Sequence, residues 1–280
     1  MTPSEHAELA LLLEVAGAPK PGNVDRERDL ADLRFEQFLA GAVGASEGFA
    51  AAADADVPLG DAFETAVAGM ADAAGTNTQF GCLLLVCPLV RTAATGDLTR
   101  ERAAGVVEST TVEDAAGFYR AFEHADVAVR HLPEDADVLD VRRGADAVPQ
   151  LRERGLTLAD VMELSADRDA NARELVDGFP RVFRAAAHVE AGDGPLVDRA
   201  ADAFLHLLAE APDTLVATEH GDAVAREVQE RALELQDADR DAVRAFADDL
   251  VDRGVNPGTT ADLTAAALFV ALERGVSVRD

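Results

Sequence analysis

Three segments of this chain set glycine, asparagine and threonine at or between helix starts. They are Pro19-Lys20-Pro21-Gly22-Asn23-Val24-Asp25-Arg26, Gly75-Thr76-Asn77-Thr78-Gln79-Phe80-Gly81 and Asn256-Pro257-Gly258-Thr259-Thr260-Ala261-Asp262. A helix N-terminus presents unpaired N–H groups and a partial positive charge, which suits an anion. Glycine lets a ligand approach the backbone, and threonine adds a hydroxyl. Each segment alone could equally be a helix cap. Together, with the chain's one lysine among them, they point to phosphate binding. None is a Walker loop or a GxGxxG turn. Lys20 is the sole lysine among 25 basic residues. A compact ammonium differs from an arginine fork, so a site that needs a point charge would keep it.

Acids accompany the loops: Asp25 after the first, Asp72 before the second, Asp262 within the third. A carboxylate beside a phosphate repels it unless a cation lies between, and Mg²⁺ held by one or two carboxylates plus phosphate oxygens resolves the conflict. The other reading of these acids is a favourable interaction with a helix dipole. Ser165-Ala166-Asp167-Arg168-Asp169 lies at a helix junction, followed by Asn171 and Arg173. Asp167 or Asp169 could serve as a general base or metal ligand, and Asp169 could equally be an N-cap. Glu219-His220-Gly221 holds the one histidine beside both a carboxylate and a glycine. The other histidines, His131 among them, lie alone, and no pair has zinc spacing.

The elements that must position these residues read as helices. Thr2-Pro3-Ser4-Glu5 carries a capping box with proline at the first helical position. Thr110-Thr111-Val112-Glu113 and Thr157-Leu158-Ala159-Asp160 open two more helices. Asp169 begins a long one running to His188 with a kink at Pro180. Apolar spacing predicts others at about 32–54, 60–73, 77–93, 196–210, 219–236, 240–252 and 260–273. The stretch 131–150 is the least regular, either a loop over a site or a long surface connection. No alternating run long enough for a strand occurs, so the expected fold is all-α, one multi-helix domain over 1–280.

The formal charge is −28 over 280 residues, with the acids spread along the chain. That pattern fits a salt-rich cytoplasm, where self-repulsion is screened. It argues against a nucleic-acid surface, because no basic stripe exists to neutralise phosphates. Cys82 and Cys87 fit neither a metal clip nor a disulfide framework and read as buried thiols. The longest apolar run, Cys82 to Val90, contains Pro88 and is too short to span a bilayer. No signal peptide is expected, and the location implied is cytoplasmic. The face formed by Ala265, Leu268 and Phe269 is either core or the seam of a homodimer.

These motifs, in this order, resemble the triphosphoribosyl-dephospho-CoA synthase family, most closely its archaeal branch. The resemblance is carried by EVAGAPKPGNVDR (Glu14 to Arg26), GTNTQFG (Gly75 to Gly81), TVEDAAGFYR (Thr111 to Arg120), GLTLADVMELSADRDANARE (Gly155 to Glu174) and NPGTTADLTAAALF (Asn256 to Phe269). It implies an all-helical transferase that moves the triphosphoribosyl part of ATP to the 2′-hydroxyl of 3′-dephospho-CoA, with adenine leaving. Such a reaction needs a triphosphate clamp, a base for the attacking hydroxyl and a proton for the departing purine, around an oxocarbenium-like transition state. The residues expected to hold the nucleotide are Lys20, Gly22, Asn23, Asn77, Thr78, Gly81, Gly258, Thr259 and Thr260. Arg26 or Arg173 would offset triphosphate charge. Asp25, Asp72 and Asp262 would hold Mg²⁺ directly or through water, and Asp167 or Asp169 would be the base.

Three departures stand out, one being Pro-Gly-Gly-Ser-Ala-Asp of the family, which here reads Pro257-Gly258-Thr259-Thr260-Ala261-Asp262. Many bacterial members carry Gly-Ala-His-x-Asp soon after the first motif, where this chain reads Arg28-Asp29-Leu30-Ala31-Asp32. A later His-Arg-Gly-Gly becomes Thr218-Glu219-His220-Gly221. The phosphate loops survive better than the histidines, which leaves the acceptor open. The competing readings are transfer of a related group to another coenzyme acceptor, a Mg²⁺-dependent nucleotide or ADP-ribose hydrolase, and a nucleotide-binding protein without turnover.

Overall fold

The computed structural model describes residues 1–129 and 138–279. Among them there are helices and no strand, with one isolated bridge between Asp25 and Arg28. The helices are α1 (Pro3–Ala16), α2 (Phe35–Gly44), α3 (Ser46–Ala53), α4 (Leu59–Ala74), α5 (Phe80–Thr95), α6 (Arg100–Glu108), α7 (Val112–Ala121), a 3-10 helix (Val141–Ala147), α8 (Val148–Arg154), α9 (Leu158–Ser165), α10 (Ala170–Asp177), α11 (Pro180–Ala191), α12 (Leu196–Glu210), α13 (Thr214–His220), α14 (Asp222–Glu234), α15 (Arg240–Asp252) and α16 (Gly258–Glu273).

Two helices are apolar nearly all round, as a helix inside a core must be. In α16 every residue from Leu263 to Leu272 is buried, and α5 buries Cys82 through Val90 without a gap. They pack on each other. Around them lie α1, α11 and α12 against α16, and α3 and α4 against α5. Ala265, Leu268 and Phe269 are fully buried; they are core, and the dimer-seam reading of that face falls. A second core joins Phe204, Leu208, Val216, Val228, Phe246 and Leu250 from α12 to α15. No single helix among the described residues is long and apolar enough to cross a membrane.

Local signals account for many starts. Thr2 and Glu5, Thr111 and Asp114, and Thr157 and Asp160 form reciprocal capping boxes. Three expected helices are each two. The 32–54 run begins only at Phe35 and breaks at Ala45, where Gly44 passes directly against the backbone oxygen of Gly69. The helix expected from Asp169 to His188 stops at Asp177. Gly178 and Phe179 both take left-handed backbone (φ 72° and 59°), and Pro180 then starts α11 instead of kinking a continuous helix. Proline disfavours helical geometry in the residue before it, and Glu174 caps the new start by accepting from the Arg181 and Val182 N–H groups. Gly221 (φ 88°) divides the 219–236 run into α13 and α14. Of the irregular stretch 131–150, residues 141–150 are helical, whereas 131–137, with His131, lie outside the described residues.

Candidate active site

The first and third loops meet. Gly22 has φ 70° and lies so close to the Val255 carbonyl that no side chain fits between them. Beside it, Asn23 Nδ2 donates to Asn256 Oδ1 at 2.9 Å. Lys20 is completely buried. Its ammonium pairs with Glu14 on α1 and donates to Asn23 Oδ1 at 3.3 Å, while its backbone N–H donates to Asp25 Oδ2 at 2.9 Å. The Phe204 ring lies 5.7 Å from Nζ. The expected phosphate clamp is therefore a buried ion pair that folds the first loop onto α1. Burial drives the Glu14 carboxyl upward, against the opposing pull of Lys20.

The N-termini of α5, α10, α13 and α16 converge on two acids. Asp213 Oδ1 accepts from Leu215 N (2.9 Å) and Val216 N (3.1 Å), and Oδ2 accepts from the backbone N and hydroxyl of Thr260, each at 2.7 Å. One carboxylate thus caps α13 and α16 together. Thr259 Oγ1 meets Thr214 Oγ1 at 3.1 Å, and Thr214 Oγ1 accepts from Ala170 N at 3.3 Å. Asp262, one turn into α16, accepts from Asn171 Nδ2 at 2.8 Å and from the Cys82 thiol at 3.2 Å. Gly81 presses against the same carboxylate and leaves no room for a Cβ. Burial pushes the Asp262 carboxyl up to about 7, and Asp213 and Glu14 add to the rise; the bonds from Asn171 and Cys82 oppose it. Burial and the Asp262 carboxylate also raise the Cys82 thiol well above its usual range.

Four buried polar atoms here have no hydrogen-bond partner among the described residues: Thr78 Oγ1, Gln79 Nε2, Gln79 Oε1 and Asn171 Oδ1. Each such group costs about 1–3 kcal/mol of lost hydration. All four lie in or beside the segments that build the α5 and α10 starts.

Other expected residues are placed differently. Asn77 is a cap: its Oδ1 accepts from Phe80 N, and its Nδ2 ties the loop to the Asp126 carbonyl. Thr259, Thr260 and Gly258 open α16, with both hydroxyls already engaged. Asp169 caps α10 through Asn171 N and Ala172 N, which is its alternative role, and Asp167 is exposed. Burial nevertheless raises the Asp169 carboxyl, against the two backbone N–H groups it accepts from. Arg26 pairs with Asp198 on the surface, and Arg173 is exposed on α10. Asp25 is buried and bound to Arg28 at 2.7 Å and to the Glu27 N–H. Asp72 is exposed and lines a separate open groove of about 430 Å³ with Glu47, Glu64 and His124. The expected Mg²⁺ set of Asp25, Asp72 and Asp262 is thus dispersed. Among the described residues no three His, Cys, Asp or Glu side chains are gathered to hold an ion, so Asp25, Asp72 and Asp262 do not form one shared ion site. His220 reaches the Gly254 carbonyl at 3.1 Å.

Sequence reading passed over the partners. Glu14, Gln79 and Asp213 received no role, Cys82 only that of a buried thiol, and Asn171 was noted only as a neighbour. Gln79 and Asn171 each stand inside a singled-out motif, which was the available signal. The pairing of Asp213 with Thr260 spans 47 residues and leaves no local mark.

The sequence model of the CitG family, ATP:dephospho-CoA triphosphoribosyl transferase, matches residues 1–279. The chain belongs to this family. A CitG-family chain is a transferase, and its activity is, in general terms, that of a triphosphoribosyl-dephospho-CoA synthase. A crystal structure from Archaeoglobus fulgidus, provisionally designated triphosphoribosyl-dephospho-coA synthase, superposes with a TM-score of 0.70 at 26% identity, covering 86% of this chain and 99% of that one. No curated protein matches the chain.

Proposed function

We infer that this CitG-family protein transfers the 5-triphosphoribosyl group of ATP to the 2′-hydroxyl of 3′-dephospho-CoA and releases adenine. The observation that carries the reading is the Asp262 carboxyl, set between three helix starts with a proton affinity close to neutrality. A general base works best when its pKa lies near the working pH. In this reading Asp262 takes the proton of the attacking 2′-hydroxyl. The new bond joins that oxygen to C1′ of the donor ribose, the C1′–N9 bond breaks, and adenine leaves with the electron pair and takes up a proton. Asn171 orients the base through its 2.8 Å hydrogen bond. The helix starts at Gly81 and Gly258, with Arg173 nearby on α10, offer positive potential to the triphosphate. Mg²⁺ enters as the companion of ATP.

The test is mass spectrometry of a high-salt reaction holding ATP, Mg²⁺ and 3′-dephospho-CoA. Adenine and a triphosphoribosylated coenzyme in equal amounts are expected. Adenine with free ribose triphosphate would instead mean that water is the acceptor.

A further inference from the structure

Gln79 is only 2% exposed, yet both ends of its side-chain amide lack a partner, and the hydroxyl of Thr78 beside it lacks one too. Its own backbone N–H is spent on the Met70 sulfur at 3.2 Å. The cover over this pair is a glycine. A Cβ on Gly41 of α2 would meet Thr78 Oγ1 at 2.5 Å and Gln79 Oε1 at 3.3 Å. The α2 backbone therefore packs directly over the two orphaned groups, and the same Cβ would meet the Met70 side chain at 3.1 Å. A buried amide is kept against something that completes it.

An amide offering a donor and an acceptor side by side pairs with a group that offers the reverse. The N7/N6 edge of adenine does so, with an acceptor next to a donor. A trans secondary amide, such as those in a pantetheine arm, points its carbonyl and N–H in opposite directions and cannot satisfy both ends at once. Resting on the reading that ATP is the donor substrate, we propose that Gln79 reads the departing purine of ATP, Nε2 donating to N7 and Oε1 accepting from the N6 amine. Gln79 is then a specificity residue at the leaving group, two positions before the glycine that touches Asp262. Adenine reaches it when the glycine-lined contact between α2 and the start of α5 parts.

Equilibrium binding tests this without asking for turnover, because changing the purine also changes how well it leaves. Dissociation constants are measured at high salt for ATP, 7-deaza-ATP, which lacks N7, and ITP, which lacks the N6 donor. The wild-type protein is expected to bind each analogue about tenfold more weakly than ATP. Gln79→Leu is expected to bind all three alike, at the analogue level. Equal binding of the three nucleotides by the wild-type protein overturns the proposal with no variant needed, so a misfolded Q79L would not shelter it. A Q79L protein that keeps the wild-type preference for ATP overturns it as well. Failure of the wild-type protein to bind any of the three, while remaining folded, overturns both this proposal and the donor assignment beneath it.

Discussion

Lys20 and Glu14 sit at the centre of the residue-scale account. Two opposite charges almost wholly out of water persist because each is the other's partner. Removing one partner of such a pair typically costs about 3–5 kcal/mol, since the survivor stays buried and uncompensated. Lys20→Met is therefore expected to lower unfolding free energy by about that much in urea titration, and Glu14→Gln added to it should recover a large part. A Lys20→Met protein of unchanged stability would show that the pair does not hold the loop. Asp262 gives a signed pH effect. Its carboxyl ordinarily titrates at 3.8 and here near 7, so between those values the native state holds a proton that the unfolded chain has released. Its contribution to stability is therefore complete below about pH 4, falls as pH rises towards 7, and is flat beyond. Asp262→Asn should lack that slope and, at pH 8, be more stable to unfolding than the wild type by on the order of 2 kcal/mol after allowing for solvent screening. The same variant is expected to lose about a hundredfold or more in turnover. Asp262 unfolding with a pH profile identical to its Asn variant would remove the case for a shifted acid. At this scale the sequence makes Lys20 and Asp262 stand out, but not the partners that the fold lays against them. A lysine's role depends on which carboxylate the fold lays against it, and Glu14 reaches it only once α1 and the loop have turned back on each other.

Among elements, the site is a junction of helix starts held by shared caps. Asp213 closes α13 and α16 at once. An N-cap replaced by alanine costs roughly 1 kcal/mol, so Asp213→Ala should cost about 2 kcal/mol in chemical denaturation. It should also weaken nucleotide binding, because α16 carries Asp262. A loss confined to one cap's worth, with binding intact, would mean the two helices are held independently. The capping boxes at Thr2, Thr111 and Thr157 were legible because both partners lie within one turn. The divisions at Gly178 and Gly221 were not, since a glycine inside a periodic run is compatible with a continuous helix until tertiary packing decides. Pro180 shows the same limit: its presence signalled a disturbance, but only the left-handed Phe179 before it turns a kink into a new start.

For the molecule as a whole, composition and core agree. Apolar, almost uncharged α5 and α16 form the interior, and most of the chain's acids lie outside it. Surface self-repulsion weakens as the Debye length shrinks from about 10 Å at 0.1 M salt to about 3 Å at 1 M. Thermal unfolding followed in KCl from about 0.1 to 2 M should shift upward steadily, and a salt-independent midpoint would contradict the reading of the acids as a salt adaptation. The all-helical fold was legible throughout, because apolar spacing is a property of each segment. Which helix starts would face one another was not, because that depends on how segments far apart in sequence stack. The burial of Lys20 has a further consequence. Apart from its α-amino group, the folded chain offers amine-reactive reagents nothing to label. Acylation of Lys20 can proceed only when the structure around it opens, so the slow appearance of a second label per chain would clock that opening at a single, known atom.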